Sequence, residues 1–204
     1  MPATTAIADL LDQHAPLATI AAHLDGLPHL ERLAQCRALG RAAQRALFLA
    51  ASAEAMMLAD LVPTSVAPCV EVIQFGMNTL PLPSALRKFE KRFCRPQDNS
   101  ERLFGYNEGS TRSLIGPGYF VAVPTAGNAA WQERGAVVVD YYQVPDGDVV
   151  PGWPKVVANS VGLQMFVFQG TRDFMRRVSD FVSIGAAYKG EKALDHYFVL
   201  VRNP

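Results

Sequence analysis

The chain has 204 residues, of which half are hydrophobic and only 19% are charged, so it can bury a sizeable core and is not expected to be disordered. Nineteen basic residues balance nineteen acidic ones, so the net charge indicates neither nucleic acid nor an anionic membrane as a partner, while a homo-oligomer is compatible with it. No apolar run reaches the roughly 18 residues that a membrane-spanning helix needs, and we expect no membrane span.

The composition changes sharply along the chain. The first 61 residues contain no valine, tyrosine or tryptophan, whereas the rest holds twenty valines, all six tyrosines and both tryptophans. Alanine and leucine lose little side-chain freedom in a helix, and β-branched and aromatic side chains fit a pleated sheet. The sequence therefore predicts a helical segment over 1–62, a connecting segment with a short helix over 63–102, and a β-rich segment over 103–204, packed together as one compact domain.

Prolines mark the starts of two predicted helices, because proline is accepted in the first turn of a helix. Pro16 predicts a helix that ends near Gly26, and Pro28 predicts one long helix that runs to about Asp60. Pro63 then ends the helical pattern.

The connecting segment is predicted to contain a strand and a short helix. Residues 70–75 alternate well enough for a strand, and Ser84 is a suitable N-cap for a helix over 85–94. In that helix the apolar residues recur at helical spacing and face the core, while the basic side chains of 87–95 are solvated. Basic and aromatic residues mixed in this way also occur in proteins that bind single-stranded nucleic acid, but the zero net charge favours the solvated helix.

Beyond residue 103 the pattern is that of strands joined by short connections. Residues 106–109 (YNEG) indicate a hairpin turn, and Gly170 with Thr171 predicts the start of a short helix through Val178. Because most connections are shorter than a helical crossover needs, the sheet is expected to be antiparallel. The strands predicted most clearly in this part are Tyr119–Val123, Ala136–Val144, Leu163–Phe168, Phe181–Tyr188 and Tyr197–Arg202. The first two are expected to form an antiparallel pair, and the last two a hairpin with residues 189 and 190 in its turn.

These elements predict an α+β fold, with N-terminal helices packed on a curved, mainly antiparallel sheet of about six strands that forms either a half barrel or a closed barrel. Several strands are apolar on both faces, as in residues 136–142 (AVVVDYY). A strand that is wet on one face would alternate more cleanly. One sheet face is therefore expected to pack against the long helix, and the other to close on itself or line a cavity.

Asp140 lies inside an apolar strand and is the first candidate catalytic residue. Desolvation there would raise the pKa of its carboxyl group, as a general acid or base near neutral pH requires. The alternative is that Asp140 lies near the strand end and is paired with an arginine or a backbone amide, since structural ion pairs also shift pKa values.

His196 is the only histidine of the β-rich segment and is the second candidate. It alternates with Phe198 and Leu200, which indicates an inward-facing side chain. One interpretation is proton transfer beside Asp140 or Tyr142. The other is a core or rim histidine that only satisfies a hydrogen bond.

Aromatic side chains of the β-rich segment give the leading hypothesis about function. Phe120, Tyr142, Phe168 and Tyr197 would either wall a pocket or form ordinary core. We predict a protein that binds a small, largely apolar or aromatic molecule in a cavity between sheet and helices. The polar residues that would orient this ligand are Asp140, His196 and Arg172.

Arg172 has two further interpretations. With Arg176, four residues later on the same predicted helix face, it would clamp a carboxylate or phosphate, or it would belong to a solvated face that also bonds Asp173.

Two other functions fit these residues. An enzyme would use the same pocket, with Asp140 or His196 moving a proton. A protein-interaction module would bind an acidic partner through a basic helical face, either the arginine row of 37–45 or residues 87–95.

Cysteine and histidine patterns exclude several kinds of site. The three cysteines, Cys36, Cys69 and Cys94, are odd in number and far apart, and no CxxC or HExxH motif occurs, which argues against a disulfide framework and a metal site. We expect neither a metal nor a cofactor. A reducing cytoplasm is the simplest location, because residues 1–12 lack the basic region of a signal peptide.

Overall fold

The structure is a computed structural model that describes residues 6–52 and 55–204. The helices before the first strand are α1 (Ile7–Asp12), α2 (Leu17–Gly26), α3 (His29–Ala38), α4 (Arg41–Ala50) and α5 (Leu58–Leu61). The strands are β1 (Val72–Asn78), β2 (Lys88–Cys94), β3 (Leu103–Glu108), β4 (Phe120–Pro124), β5 (Val137–Asp140), β6 (Thr171–Arg177), β7 (Val182–Lys189) and β8 (Lys192–Arg202). Short helices between strands are α6 (Ser84–Arg87), α7 (Arg112–Ile115), α8 (Ala129–Gln132) and α9 (Gln164–Val167).

The strands form a closed antiparallel barrel in which each strand pairs with its neighbours in sequence and β1 pairs with β8. This confirms the predicted α+β fold with helices on a curved antiparallel sheet that closes into a barrel. The described residues contribute eight strands to the barrel, not about six. The difference arises where the local sequence pattern favours the wrong element, in β2, β3, β6 and α9.

Residues 88–94 form β2 because their side chains alternate between two environments. Phe89, Lys91 and Phe93 line the barrel interior, whereas Glu90 and Arg92 pair on the outer face at 2.7 Å. The predicted helix over 85–94 is therefore wrong beyond α6. Apolar residues at 86, 89 and 93 fit a helical period, but 89 and 93 fit a strand equally well.

Residues 171–177 form β6, and the helix predicted to start at Thr171 is wrong for the same reason. Asp173 and Met175 face the interior, and Arg176 on the outer face donates to the carbonyl of Phe48 at 3.0 Å. The strand predicted over 163–168 is also wrong, because most of it forms α9. Gly170, with φ +74°, then turns the chain into β6.

The N-terminal helices begin where the prolines indicate: Pro16 directly precedes α2 and Pro28 directly precedes α3. The long helix predicted from Pro28 to Asp60 is wrong. Leu39 is extended, with φ −67° and ψ 120°, and Gly40 caps α4, so α3 and α4 are separate helices. The predicted helix also crosses residues 53 and 54, which lie outside the described residues.

These helices pack on the outer face of β7, β8 and β1. The break at Leu39 allows two short helices to follow the curved barrel surface, so that both bury apolar side chains against it. Among the described residues, no helix combines the length and apolar character needed to cross a lipid bilayer. The buried members of this outer core include Ile20, Leu24, Cys36, Leu47, Ile184, Val199 and Val201.

The barrel interior is packed at one end only. Near α5, Leu61 and Val62 are fully buried against Phe93 and Leu200, and the buried Gln74 donates to the Leu61 carbonyl at 2.8 Å. The opposite end, surrounded by α6, α7 and α9, is open. This half-filled interior positions the candidate site.

Candidate functional site

A cavity of about 430 Å³ opens at the end of the barrel that carries α6, α7 and α9. An eight-stranded barrel is just wide enough to be filled by side chains or to hold one small ligand. Here the side chains fill only the end near α5, so the other end retains space for a small molecule. The apolar residues that line the cavity include Leu80, Leu86, Phe89, Ile115, Phe168, Leu194 and Phe198.

Four polar side chains, which we call the Lys91 cluster, meet at this cavity: Lys91 of β2, Asn107 of β3, Tyr141 just after β5, and Asp173 of β6. The Lys91 Nζ atom donates to Asp173 Oδ2 at 3.0 Å and to Asn107 Oδ1 at 3.1 Å, and it also contacts the Tyr141 hydroxyl. The Tyr141 hydroxyl lies 3.2 Å from Asp173 Oδ2. Each of the three ammonium protons thus has an acceptor.

The barrel fixes the cluster through its strand register. Lys91 is directly opposite Asn107 in the β2–β3 pair, so both side chains point inward together. Tyr141 lies beyond the end of β5, where its carbonyl accepts a hydrogen bond of 2.8 Å from the buried amide of Asn159. Its own N–H donates to the Thr171 carbonyl at 3.3 Å. These two hydrogen bonds, to the carbonyl and from the N–H of Tyr141, fix the backbone that carries the phenol.

Burial controls the protonation of the cluster. Lys91 is only 1% exposed, and this desolvation lowers its pKa, although the Asp173 carboxylate opposes the shift. Burial and the charge of Asp173 raise the pKa of Tyr141 well above its ordinary value, so the phenol stays protonated. The ring centroids of Phe120, Tyr141 and Phe198 lie 4.9, 5.0 and 4.9 Å from Nζ. The site thus offers an amine, a carboxylate and a phenol to a polar atom in apolar surroundings.

Exposed apolar side chains surround the mouth of the cavity. Leu82, Leu86 and Val167 line the cavity and are 43%, 40% and 42% exposed. Exposed apolar surface around an opening is typical of binding sites. The rim gives apolar molecules a path toward the Lys91 cluster.

Asp140, Arg172 and Tyr142 lie on the outer face of the barrel and do not line this cavity. Asp140 pairs with Arg172 at 3.2 Å and accepts the Tyr142 backbone N–H at 3.0 Å. The Arg172 guanidinium lies 4.1 Å from the Tyr142 ring centroid. This is the structural role that the sequence offers as the alternative for Asp140, and it separates Asp140 from His196.

His196 and Tyr197 follow each other on β8 but have different surroundings. His196 lines the cavity, and burial together with the nearby Arg41 guanidinium lowers its pKa. Its Nδ1 atom lies 3.5 Å from Arg41. Tyr197 borders the cavity, while its ring packs against Phe48 of α4 at 5.7 Å.

Phe120 and Phe168, both predicted to contact a ligand, are inside the barrel. Phe168 lines the cavity and stacks on Tyr141, with ring centroids 5.2 Å apart. Phe120 is fully buried on the far side of the cluster, between Tyr141 and Phe93. Of these two, only Phe168 is available to a ligand in the cavity.

None of the four members of the Lys91 cluster is among the candidate site residues named from the sequence. The sequence pattern places Lys91 in a solvated helix, Asn107 in a hairpin turn and Asp173 in a helix, and all three assignments are wrong because these residues lie on strands. One signal was available in the sequence: Lys91 lies two residues from both Phe89 and Phe93. In a strand, all three side chains point to the same face, and the two phenylalanines indicate that this face is inward.

The basic surfaces expected of an interaction module are divided in the structure. The arginine row of 37–45 is split between α3 and α4, and Arg41 and Arg45 both lie near Asp195, at 3.7 and 4.0 Å. Residues 87–95 alternate between the inside and outside of the barrel. In residues 6–52 and 55–204, no three His, Cys, Asp or Glu side chains are grouped so as to hold a metal ion.

No family model, curated protein or solved structure matches this chain. Because one fold supports many functions, a barrel by itself does not indicate an activity. The function must therefore be argued from the cavity and the Lys91 cluster.

Proposed function

We propose that this protein binds a small, largely apolar molecule with one polar group inside its barrel. The apolar body would lie against Phe89, Phe168 and Phe198, and the polar group would contact the Lys91 cluster. The observation that carries the proposal is a buried ion pair that borders an open cavity with mainly apolar walls.

The energetics of this ion pair support a functional role. Taking two charges out of water costs several kcal/mol, on the order of what their attraction returns, so apolar residues of similar volume are often equally stable. Buried charged groups in a cleft are therefore candidates for function. Lys91 and Asp173 have side-chain exposures of 2% and 9% and both line the cavity.

The size of the cavity supports a single small ligand. Its volume of about 430 Å³ lies within the range of roughly 300–1,000 Å³ that is typical of small-molecule sites. The mixture of apolar walls with a few convergent polar groups is also typical of such sites.

Titration with the neutral fluorescent aromatic probe N-phenyl-1-naphthylamine tests this function. We expect saturable binding of one probe per chain, and at least about tenfold weaker binding to Ala187→Trp, because Ala187 lines the cavity and an indole there would fill it. Leu114→Trp is the matched control, since Leu114 is exposed and does not line the cavity. Leu194→Trp provides a second blocking variant.

Absence of saturable binding to the wild-type protein would refute the proposal. So would equal affinity of Ala187→Trp, Leu194→Trp and wild type, provided that circular dichroism shows all three folded.

A further inference from the structure

We infer that the Lys91 amine forms an imine with a carbonyl group of the bound molecule, so that the ligand class is apolar aldehydes or ketones. This inference rests on the proposed function, because the ligand must first enter the cavity. It assigns a covalent role to a residue that ligand binding alone would use only as an anchor.

The placement of Lys91 suits this chemistry. Lys91 lines the cavity and is buried, whereas the other lysines of the chain, at 88, 155, 189 and 192, are exposed to solvent. Of these exposed lysines, Lys88 also lines the cavity. Asp173 and Tyr141 lie within hydrogen-bond distance of Nζ, so a base and an acid are adjacent to the same nitrogen. Imine formation needs both, since the amine must lose a proton and the carbonyl oxygen must gain protons.

Charge balance favours a neutral carbonyl over an anionic ligand. Asp173 already neutralises Lys91, and Arg112, which also lines the cavity, is paired with Glu108 at 2.7 Å. An incoming carboxylate at the Lys91 cluster would meet the carboxylate of Asp173, whose cation Lys91 is already paired. The further cation of the cavity lining, Lys88, is exposed to solvent and makes no ion pair with the cluster. A carbonyl oxygen carries no net charge and can accept hydrogen bonds from Tyr141 and Lys91.

The reaction conserves charge within the cluster. Lys91 transfers one ammonium proton to Asp173, and the nitrogen lone pair forms a bond to the carbonyl carbon while the carbonyl π pair moves to oxygen. That oxygen takes the proton from Asp173, and it takes a second proton from the nitrogen as the C–O bond breaks and water leaves. The product is a protonated imine paired with the Asp173 carboxylate, so one buried cation replaces another. No electrons are gained or lost overall.

The low polarity around Lys91 supports the first step. Burial lowers the pKa of Lys91, which raises the fraction of neutral amine relative to an exposed lysine, by tenfold for each pKa unit. The high pKa of Tyr141 keeps its hydroxyl available as a hydrogen-bond donor to the carbonyl oxygen.

Reductive trapping tests the inference on the wild-type protein. The protein is incubated with trans-cinnamaldehyde and sodium cyanoborohydride at neutral pH, and the labelled lysines are identified by proteolysis and mass spectrometry. We expect Lys91 to carry at least about tenfold more label than any exposed lysine, because a positioned base and acid accelerate proton transfer by about 100-fold or more. Lys155→Arg is the matched control, because Lys155 is exposed and does not line the cavity, and it should leave the labelling of Lys91 unchanged. Lys91→Arg should abolish the selective label.

A second probe tests the ligand class. Glyoxylate, a small aldehyde with a carboxylate, should label Lys91 no more than the exposed lysines. Before the reductant is added, the ability of cinnamaldehyde to displace bound N-phenyl-1-naphthylamine shows whether cinnamaldehyde enters the cavity. Displacement without selective labelling of Lys91 would overturn the imine inference and leave the binding function standing, and so would equal labelling of every lysine.

Discussion

Lys91 and Asp173 form an ion pair across the full width of the barrel, with Nζ 3.0 Å from Oδ2. β2 and β6 are four strands apart in either direction around the eight-stranded barrel. In a flat sheet such strands would be separated by about 19 Å, at roughly 4.8 Å per strand. The pair therefore depends on closure of the barrel, and it links the stability of the fold to the candidate site.

Removing one partner of this pair should be strongly destabilising. We expect Lys91→Met and Asp173→Leu each to lower the free energy of unfolding by about 3–5 kcal/mol, because each leaves a buried charge without its partner. The double variant should lose much less than the sum of the two losses, since it leaves no buried charge. Urea unfolding of the four proteins measures the coupling energy.

The exposed pair between Arg134 and Glu191 provides the control for this cycle. Its atoms are 2.7 Å apart, but the Glu191 side chain is 68% exposed. We expect a coupling energy of about 0–1 kcal/mol for it. Strictly additive losses at Lys91 and Asp173 would contradict a coupled buried pair.

The stability of the protein should depend on pH through Lys91. Because burial lowers its pKa, Lys91 loses its proton in the folded state at a lower pH than in the unfolded chain, where the pKa is about 10.4. Between these two pKa values the unfolded state binds more protons than the folded state. The contribution of Lys91 to the free energy of unfolding therefore increases as the pH rises. The difference in unfolding free energy between wild type and Lys91→Met should therefore move in favour of wild type as the pH rises toward about 10.

Urea unfolding at a series of pH values measures this difference. Lys88→Met removes an exposed lysine and should show no comparable trend. A difference that moves against wild type as the pH rises would mean that the pairing with Asp173 outweighs desolvation.

The sequence predicts those parts of the fold that depend on local pattern. The β4–β5 pair and the β7–β8 hairpin are correct because their strands are adjacent in sequence and rich in β-branched residues. The Lys91 cluster depends instead on which strands face each other across a closed barrel. Nothing near Lys91 in sequence indicates that Asp173 will lie opposite it. Without the strand order of the barrel, the local pattern around Lys91 is therefore equally compatible with a solvated helix.

The interior packing beside the cluster has no space for an added methyl group at Gly105. A Cβ atom there would lie 2.4 Å from the Arg92 carbonyl oxygen and 2.5 Å from the Phe120 ring. We expect Gly105→Ala to lower the free energy of unfolding by about 1–3 kcal/mol. Gly26→Ala is the control, because a Cβ atom at the end of α2 meets nothing within 4 Å and should change stability by less than about 1 kcal/mol. Equal effects of the two substitutions in thermal unfolding would refute this packing.

Thiol reactivity should differ between the three cysteines. Burial raises the pKa of both Cys36 and Cys94 to about 12, so very little reactive thiolate forms at neutral pH. Cys69 is partly exposed. We expect iodoacetamide to label Cys69 in the native protein and all three cysteines in urea, as measured by mass spectrometry. Rapid native labelling of Cys36 would indicate that the helices open from the barrel.

Two aspartates on neighbouring strands should separate structure from binding. Asp140 and Asp173 lie on β5 and β6, but Asp140 faces outward toward Arg172 and Asp173 faces the cavity. Asp140→Asn weakens an ion pair outside the cavity, so it should reduce stability while changing the Kd for N-phenyl-1-naphthylamine by less than about twofold, or about 0.4 kcal/mol. Asp173→Asn leaves Lys91 charged without a counter-ion and makes the cavity more polar, so the Kd for this neutral probe should rise several-fold. If Asp140→Asn weakened binding as much as Asp173→Asn, the outer face would have to contribute to the site, and the Lys91 cluster would lose its special role.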